Sequence, residues 1–553
     1  MNINIMNQYT RWLRNPFLSG EEKEYLRSIE EDEKKIEELF GQDLKFGTGG
    51  MRGIIGVGTN RINDYQVARA VQSFANIIIR ESTHAGKGVV VGFDTRSHSR
   101  EFAEIATRVL LGNGIRATAI RTPAAVPVVS YTIRKLELEG GIMITASHNP
   151  KEYNGVKLYG NYGGQLVPKD MQNIIAEFEA IQDFSQVHMY KGHLRLNSIY
   201  WSISENIHDK FQEEILKLAI DDEIDNDVGI VYSALHGTGA RYVPEVLKKQ
   251  GYQNVFLVEE QMEPDPNFST VEKPNPEESE ALSMAITLAE KNQGDLVMAT
   301  DPDCDRVGAA VKGADGKILP LNGNQIGSLL LDYLIQYKKE KGENPVVIQT
   351  IVTGGLGKKI AKKNGIKVES VLTGFKYIGE MMNQLEGETF LFGYEESCGY
   401  LSGTHVRDKD GVNACMLLAE MAGVYKKQGK TIIQRLEELY EVFGYCGDTL
   451  RDIAYEGIDG MREMEQAMEN VRTNLPKTLL GQEVQTCDYL HDETGLPKEN
   501  VIRFELEDGS FAALRPSGTE PKLKAYFSFW ADSLEMALER CEKAKEELFA
   551  LLG

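Results

Sequence analysis

A serine hydroxyl stands where an apolar run ends: Gly141-Ile142-Met143-Ile144 is followed by Thr145-Ala146-Ser147-His148-Asn149-Pro150. A nucleophile works best on a rigid element with neighbours able to move its proton, and His148, Asn149 and Lys157 all lie within the next ten residues. The hydroxyl of Ser147 is therefore a candidate to accept a phosphoryl group. The same six residues also read as a turn whose side chains bond the local backbone, and alone the segment does not decide between the two.

A second loop is acidic. In Thr300-Asp301-Pro302-Asp303-Cys304-Asp305-Arg306, carboxylates at every second position of an extended segment project to one side and offer hard oxygen ligands suited to Mg²⁺. A calcium loop of the EF-hand type needs Gly at its sixth position and Glu at its twelfth, where Arg306 and Lys312 stand. The plain alternative is a solvated acidic turn. A sharper rival is that Asp303-Cys304-Asp305-Arg306-Val307 resembles the aspartyl-phosphate motif of haloacid-dehalogenase-type enzymes, with Asp303 itself as nucleophile. The serine motif ranks that reading second.

Two more loops bear on a phosphorylated sugar. Arg515-Pro516-Ser517-Gly518-Thr519-Glu520-Pro521-Lys522 joins a guanidinium, hydroxyls, a glycine and an ammonium in one stretch able to cradle a phosphate. Gly393-Tyr394-Glu395-Glu396-Ser397 sets carboxylates beside a hydroxyl, which suits vicinal sugar hydroxyls and equally suits a surface turn. His405, Arg407 and Lys409, Lys376 after Thr373-Gly374-Phe375, and Arg52 in a glycine-rich stretch add positive charge. Each such residue alone reads as a solvated surface charge.

In this order the four motifs resemble the α-D-phosphohexomutase superfamily, in its phosphoglucomutase branch, from about Leu44 to Phe529. The resemblance implies three related α/β domains and a smaller fourth around a deep cleft. It implies Ser147 as phosphoserine, with Mg²⁺ held by Asp301, Asp303, Asp305 and a phosphoryl oxygen on Ser147. Lys157 looks like the general acid/base, its pKa brought down by nearby cations, with Arg52, His148 and Lys409 in support. Glu395 and Ser397 would grip sugar hydroxyls, while Arg515, Ser517, Gly518 and Thr519 would bind the nonreacting phosphate. Arg306, Thr373, Gly374, Lys376 and Lys522 would join them in binding substrate. The implied activity is reversible interconversion of glucose 1-phosphate and glucose 6-phosphate, with glucose 1,6-bisphosphate as intermediate and activator. Mannose and pentose phosphates by the same mechanism, an aspartyl-phosphate enzyme and a non-catalytic sugar-phosphate sensor are the alternatives. Tyr394, where many members carry glycine, and Phe375 are departures that bear on sugar choice.

These loops need strands to hold them. Gly88 to Phe93 reads as a buried strand ending in Asp94-Thr95-Arg96, flanked by helical spacings at Val67 to Ile78 and Phe102 to Leu110, with a further strand over Gly114 to Ile120. The pattern restarts at Val228 to Leu235 and again near Leu321, so each round sets a loop at a strand's carboxyl end, where open α/β sheets bind ligands. The expected class is α/β, with domains over 1–205, 206–320 and 321–446 and an α+β domain over 447–553. In that last domain Val501 to Leu506 and Phe511 to Leu514 read as a hairpin, and Leu523 to Phe529 as a third strand. A closing helix is expected on Leu534, Leu538, Cys541 and Leu548, with Asp532 and Glu535 as its capping box.

A chain of 553 residues is too long for one core, and its 42% hydrophobic and 26% charged residues are those of a soluble globular protein. The net charge of −22 argues against nucleic acid or an anionic membrane as partner. Met1 to Asn7 show no basic region followed by a long apolar core, no stretch reaches the roughly 18 apolar residues of a span, and the expected location is the cytoplasm. Six unpaired-looking cysteines fit reduced thiols, with Cys304 and Cys398 as small fillers. The expected partner is a small-molecule sugar phosphate, the expected state a monomer or small homo-oligomer.

Overall fold

The computed structural model describes residues 2–47, 50–81, 86–203, 205–220, 225–455, 460–517 and 522–553. Three helices that the sequence patterns did not suggest come first: Ile3–Trp12, Gly20–Ser28 and Glu33–Phe40. The second is closed by a reciprocal cap between Ser19 and Glu22. Their apolar sides meet the first domain through Trp12, which packs edge-on against Phe40 and Tyr65 with ring centroids 5.7 and 5.8 Å away.

The first sheet has seven strands in the spatial order Phe46–Gly47, Gly50–Ile54, Tyr153–Gly160, Gly140–Ile144, Val89–Phe93, Ala117–Ala119 and Tyr200–Ser202. Val89–Phe93 and Gly140–Ile144 pair in parallel and are buried along their whole length, as expected of strands covered by helices on both faces. The second sheet centres on Ile230–Ser233 and Leu296–Thr300, the third on Pro345–Thr350 and Thr389–Glu395, again as parallel pairs. The fourth is an antiparallel sheet of five strands, in which Lys522–Ala531 lies between Tyr445–Ala454 and Phe511–Pro516. Three α/β layers and a β-rich closing domain result, as the alternation in the sequence implied.

One device recurs in the first three sheets. A buried parallel strand runs into a short loop and the chain returns antiparallel beside it: Gly140–Ile144 into Tyr153–Gly160, Leu296–Thr300 into Val307–Lys312, Thr389–Glu395 into Gly399–Ser402. Each loop carries one residue other than glycine in the left-handed region: Ser147 at φ 51°, Cys304 at 52° and Cys398 at 61°. Such a conformation costs about 1–2 kcal/mol, so three related loops keep the same strained turn. Cys304 and Cys398 hold turns as well as filling space.

The core is continuous across the three α/β layers. Val90 and Val129 of the first, Tyr232 and Met298 of the second, and Val347 and Phe392 of the third belong to one buried cluster, while the other face of the first sheet packs into a second cluster with Val71, Phe102 and Ile144. The closing domain adds Tyr526 and Trp530 to its edge but centres on a cluster of its own around Phe504, Leu514, Phe527 and Phe529.

The final helix, Leu534–Phe549, differs from expectation in phase and cap. Cys541 and Leu548 face inward as expected, but Ala537 and Ala544 join them while Leu538 is exposed, and Ser533 rather than Asp532 accepts the capping bond, from the backbone amide of Met536. The small residues allow close approach to the sheet: Cys541 Sγ reaches the Gly447 carbonyl at 3.2 Å.

Candidate active site

The three hairpin loops converge. Ser147 is buried at 3% exposure, and its Oγ donates to Asp301 Oδ2 at 2.7 Å with His148 Nδ1 at 3.2 Å. The strand before the loop supplies Thr145, whose hydroxyl accepts from the Ser147 amide at 2.8 Å and donates to Asp303 Oδ2 at 3.0 Å. The returning strand supplies Lys157, paired with Met143, and Nζ lies 2.8 Å from Asp303 Oδ2 and 3.3 Å from Asp305 Oδ2. Lys409 arrives from the third layer, 3.1 Å from Asp305 Oδ2 and 3.4 Å from Asp408 Oδ1.

Asp301, Asp303 and Asp305 are fully buried, and one oxygen of each lies within 4.8 Å of the others. Burial first, then the mutual repulsion of Asp303 and Asp305, pushes the Asp301 carboxyl well above the usual range. Burial also raises Asp305, but Lys409, Lys157 and Arg306 outweigh it and hold that group below its ordinary value. Asp303 Oδ1 and Asp305 Oδ1 are buried without a hydrogen-bond partner. Three converging hard oxygen donors with two orphaned lone-pair sites fit a small divalent cation.

Lys157 departs from the sequence expectation. Its burial favours the neutral amine, but Asp303 and Asp305 prevail and the pKa is raised rather than lowered. Its nearest neighbours are carboxylates, whereas the sequence reading anticipated cations. His148 is neutral, held well below its usual value by burial and then by Arg306 and Arg52. Arg52 Nη1 donates to Asn149 Oδ1 at 2.6 Å, from a strand in register with the one that carries Lys157.

A cleft of about 460 Å³ opens above this cluster, bounded by His148 of the first layer, Arg306 of the second, Ser397 of the third and Ser517 with Lys522 of the closing domain. Arg306 also pairs with Glu277. Glu396 lines the cleft beside Ser397, and its carboxyl is pushed up to about 7 by burial and by Glu395. Glu395 is buried next to Lys409 and Arg306, whose charges oppose the burial that raises it. Tyr394 turns into the core, where its ring stacks on Phe392 at 5.5 Å. A Cβ at Gly327 or Gly357 would meet that ring or its hydroxyl at 2.1 Å. This departure from the family pattern is a packing feature.

Thr373 and Gly374 lead into the helix Phe375–Gln384, Gly374 at φ 120°, with Lys376 in its first turn. Burial brings the Lys376 ammonium down to about 8, against the pull of Glu499, which also accepts from Arg515 Nε at 2.9 Å. This second cationic group belongs to the third layer and the closing domain. Gly518 and Thr519 lie outside the described residues. His405 and Arg407 do not join Lys409 at the acidic loop: His405 pairs with Asp410 at 2.7 Å and Arg407 ties down the carbonyls of Thr404 and Val406. Asp408 was missed by the sequence reading. It accepts from Tyr159 Oη at 3.0 Å as well as facing Lys409, and its signal was its place beside that lysine in Arg407-Asp408-Lys409.

The family descriptions phosphoglucomutase/phosphomannomutase α/β/α domain I, II and III match residues 43–184, 209–316 and 322–443. The phosphoglucomutase of Staphylococcus haemolyticus (strain JCSC1435) is 38% identical over 519 residues, covering 90% of this chain and 92% of that protein. The chain belongs to the phosphoglucomutase/phosphomannomutase family. The Staphylococcus aureus (strain MRSA252) phosphoglucomutase is also 38% identical, over 89% of this chain and 90% of its own. The open form of a Paramecium phosphoglucomutase, pp63/parafusin, shares the fold at TM-score 0.69 and 20% identity, covering 92% of this chain and 95% of that one. A phosphoglucomutase/phosphomannomutase family protein of Burkholderia thailandensis does so at TM-score 0.66 and 17% identity, covering 92% and 97%. As a member of the phosphoglucomutase/phosphomannomutase family the chain is a phosphohexomutase, an enzyme of the isomerase class.

Proposed function

We propose that the enzyme interconverts glucose 1-phosphate and glucose 6-phosphate through a phosphorylated Ser147 and glucose 1,6-bisphosphate. The observation that carries the reading is the Ser147 hydroxyl, buried below a cleft and 2.7 Å from a carboxylate of a three-aspartate cluster. Both Staphylococcus relatives bear the name phosphoglucomutase.

Asp301, Asp303, Asp305 and Ser147 would hold Mg²⁺, which when bound draws charge from the transferring phosphoryl group. In the first half-reaction the bond from Ser147 Oγ to phosphorus breaks and one from the free sugar hydroxyl forms. The hydroxyl proton leaves to the neutral amine of Lys157, a form that a cation held by Asp303 and Asp305 would favour by offsetting the carboxylate charge that raises the Lys157 pKa. Arg52 and Lys409 set the charge around the serine loop, and neutral His148 lies within hydrogen-bond reach of Ser147 Oγ. Ser397, with Glu396 beside it and Glu395 behind, meets the sugar hydroxyls. Arg515, Ser517, Gly518, Thr519 and Lys522 take the phosphate that does not react, with Arg306, Thr373, Gly374 and Lys376 along the path between.

The bisphosphate has to turn end for end before it returns a phosphoryl group. A closing domain with a largely separate core can swing away to allow that turn and swing back to exclude water.

The deciding experiment incubates the protein with glucose 1,6-bisphosphate and Mg²⁺ and maps the phosphate by mass spectrometry. Phosphate on Ser147, stable to hydroxylamine, and loss of mutase turnover in Ser147→Ala support the reading. An acyl phosphate on Asp303 overturns it.

A further inference from the structure

The strand Val89–Phe93 ends in Asp94-Thr95-Arg96, a signal in the sequence to which no function has been given. The Arg96 side chain is 0% exposed. Its Nη1 donates to the carbonyls of Pro150 at 2.8 Å and Tyr153 at 3.2 Å. Its Nη2 donates to the carbonyl of Ser147 at 2.6 Å and to that of Asn149. Asp94 lies 3.5 Å from Nε, and the guanidinium sits 4.9 Å from the ring centroid of Phe268, from the second layer. One planar cation therefore gathers four carbonyl oxygens of the serine loop from behind: Asn149, Pro150 and Tyr153 line the cleft, and Arg96 itself does not.

Comparison of the three hairpin loops shows what is special here. The left-handed Cys304 has its carbonyl taken by the backbone amide of Gly411 at 3.1 Å, and the left-handed Cys398 by that of Val307 at 2.9 Å. At left-handed Ser147, among the described residues, the carbonyl is taken by a side chain, that of Arg96. We propose that Arg96 is a positioning residue which holds the Ser147 peptide in its left-handed turn and so keeps Oγ aimed at Asp301. The inference rests on Ser147 being the phosphoryl carrier. A point-charge ammonium cannot reproduce the planar fork that serves four acceptors. Without it the turn relaxes toward ordinary φ and Oγ moves off line, whereas Ser397, Ser517 and Lys522, assigned above to the sugar phosphate, line the cleft from other loops and keep their places.

The test is Arg96→Lys, with phosphate mapped by mass spectrometry and kcat expressed per phosphorylated site after loading from glucose 1,6-bisphosphate. An ångström-scale misplacement should lower kcat per site about 30- to 100-fold, with KM for glucose 1-phosphate within about twofold of the parent. A residue that only supported the fold would lower yield and melting temperature and leave kcat per site alone, and that result overturns the proposal. So does a rise in KM with kcat preserved. Should Arg96→Lys not fold, Phe268→Leu carries the test: removal of the ring beneath the guanidinium should lower kcat per site about three- to tenfold at unchanged KM, and an unchanged kcat overturns the proposal. Phosphate found on another residue overturns the phosphoserine reading together with this one; phosphate on Ser147 with parental kcat per site overturns the role of Arg96 alone.

Discussion

Ser147 Oγ and Asp301 Oδ2, 154 positions apart in the chain, lie 2.7 Å from each other where the first α/β layer meets the second. The contact exists because two strands, Gly140–Ile144 and Leu296–Thr300, deliver their loops to one point.

Removing a carboxylate from that point should show in metal dependence. Asp303→Asn is expected to raise the Mg²⁺ concentration for half-maximal activity by at least about tenfold and to lower the maximal rate. Chelation should abolish activity in the parent and Mg²⁺ should restore it. Overlapping Mg²⁺ titrations of variant and parent would contradict the assignment.

Lys157 sits between Asp303 and Asp305, so Lys157→Met removes both the proposed proton carrier and a counter-charge. Mutase kcat is expected to fall by about 10²–10⁴, with phosphorylation of Ser147 by glucose 1,6-bisphosphate slowed in the same proportion. Steady-state rates and a loading time course measure both. A variant that keeps more than a tenth of the rate would remove Lys157 from the reaction.

Asp448 places its carboxyl where the closing domain meets the third layer: a Cβ on Gly354 would stand 2.7 Å from its Oδ1, and Cys446 Sγ approaches at 3.7 Å. Burial, opposed by Ser528 and Cys446, pushes the pKa from 3.8 up to about 6. The folded carboxyl thus holds its proton more tightly than the unfolded one. Its stabilisation is fully present below about 3.8 and is lost as pH rises through about 6. Between pH 4.5 and 7.5 the parent should lose about 1–2 kcal/mol relative to Asp448→Asn, a partial value because the site is partly open to solvent. Urea unfolding at several pH values gives the difference curve; a flat one would refute the placement.

Tyr394 lies in the core and not in the cleft. Tyr394→Phe should leave the relative rates on glucose, mannose and ribose 1-phosphates unchanged. Gly357→Ala, which drives a methyl into the tyrosine hydroxyl, should cost about 1–3 kcal/mol of stability by chemical denaturation. A change in sugar preference in Tyr394→Phe would return that residue to the cleft.

The sequence announced the central parallel strands because each is a short, mostly apolar run, as at Val89–Phe93 and Leu296–Thr300. It also revealed the loops at their ends, since carboxylates and hydroxyls packed after an apolar run are rare. The returning strands were harder to see. Tyr153–Gly160 mixes asparagine, glycine and lysine and is buried by the third layer as much as by its own sheet, as the bond from Tyr159 to Asp408 shows. The charge state of Lys157 was misread for the same reason, because its partners lie about 150 positions away. In the closing helix Cys541 and Leu548 were legible as buried positions, but alanine is a weak marker in a pattern, so Ala537 and Ala544 went unread and exposed Leu538 was taken in their place.

The shared interior of the three α/β layers has an engineering consequence. On the proposed reading, phosphoryl transfer sits in a block whose three layers share buried residues, while recognition of the far phosphate rides on a module with its own interior. Grafting the closing module of a relative onto this block would alter which phosphate ester is retained for the second transfer while leaving the machinery of the first in place.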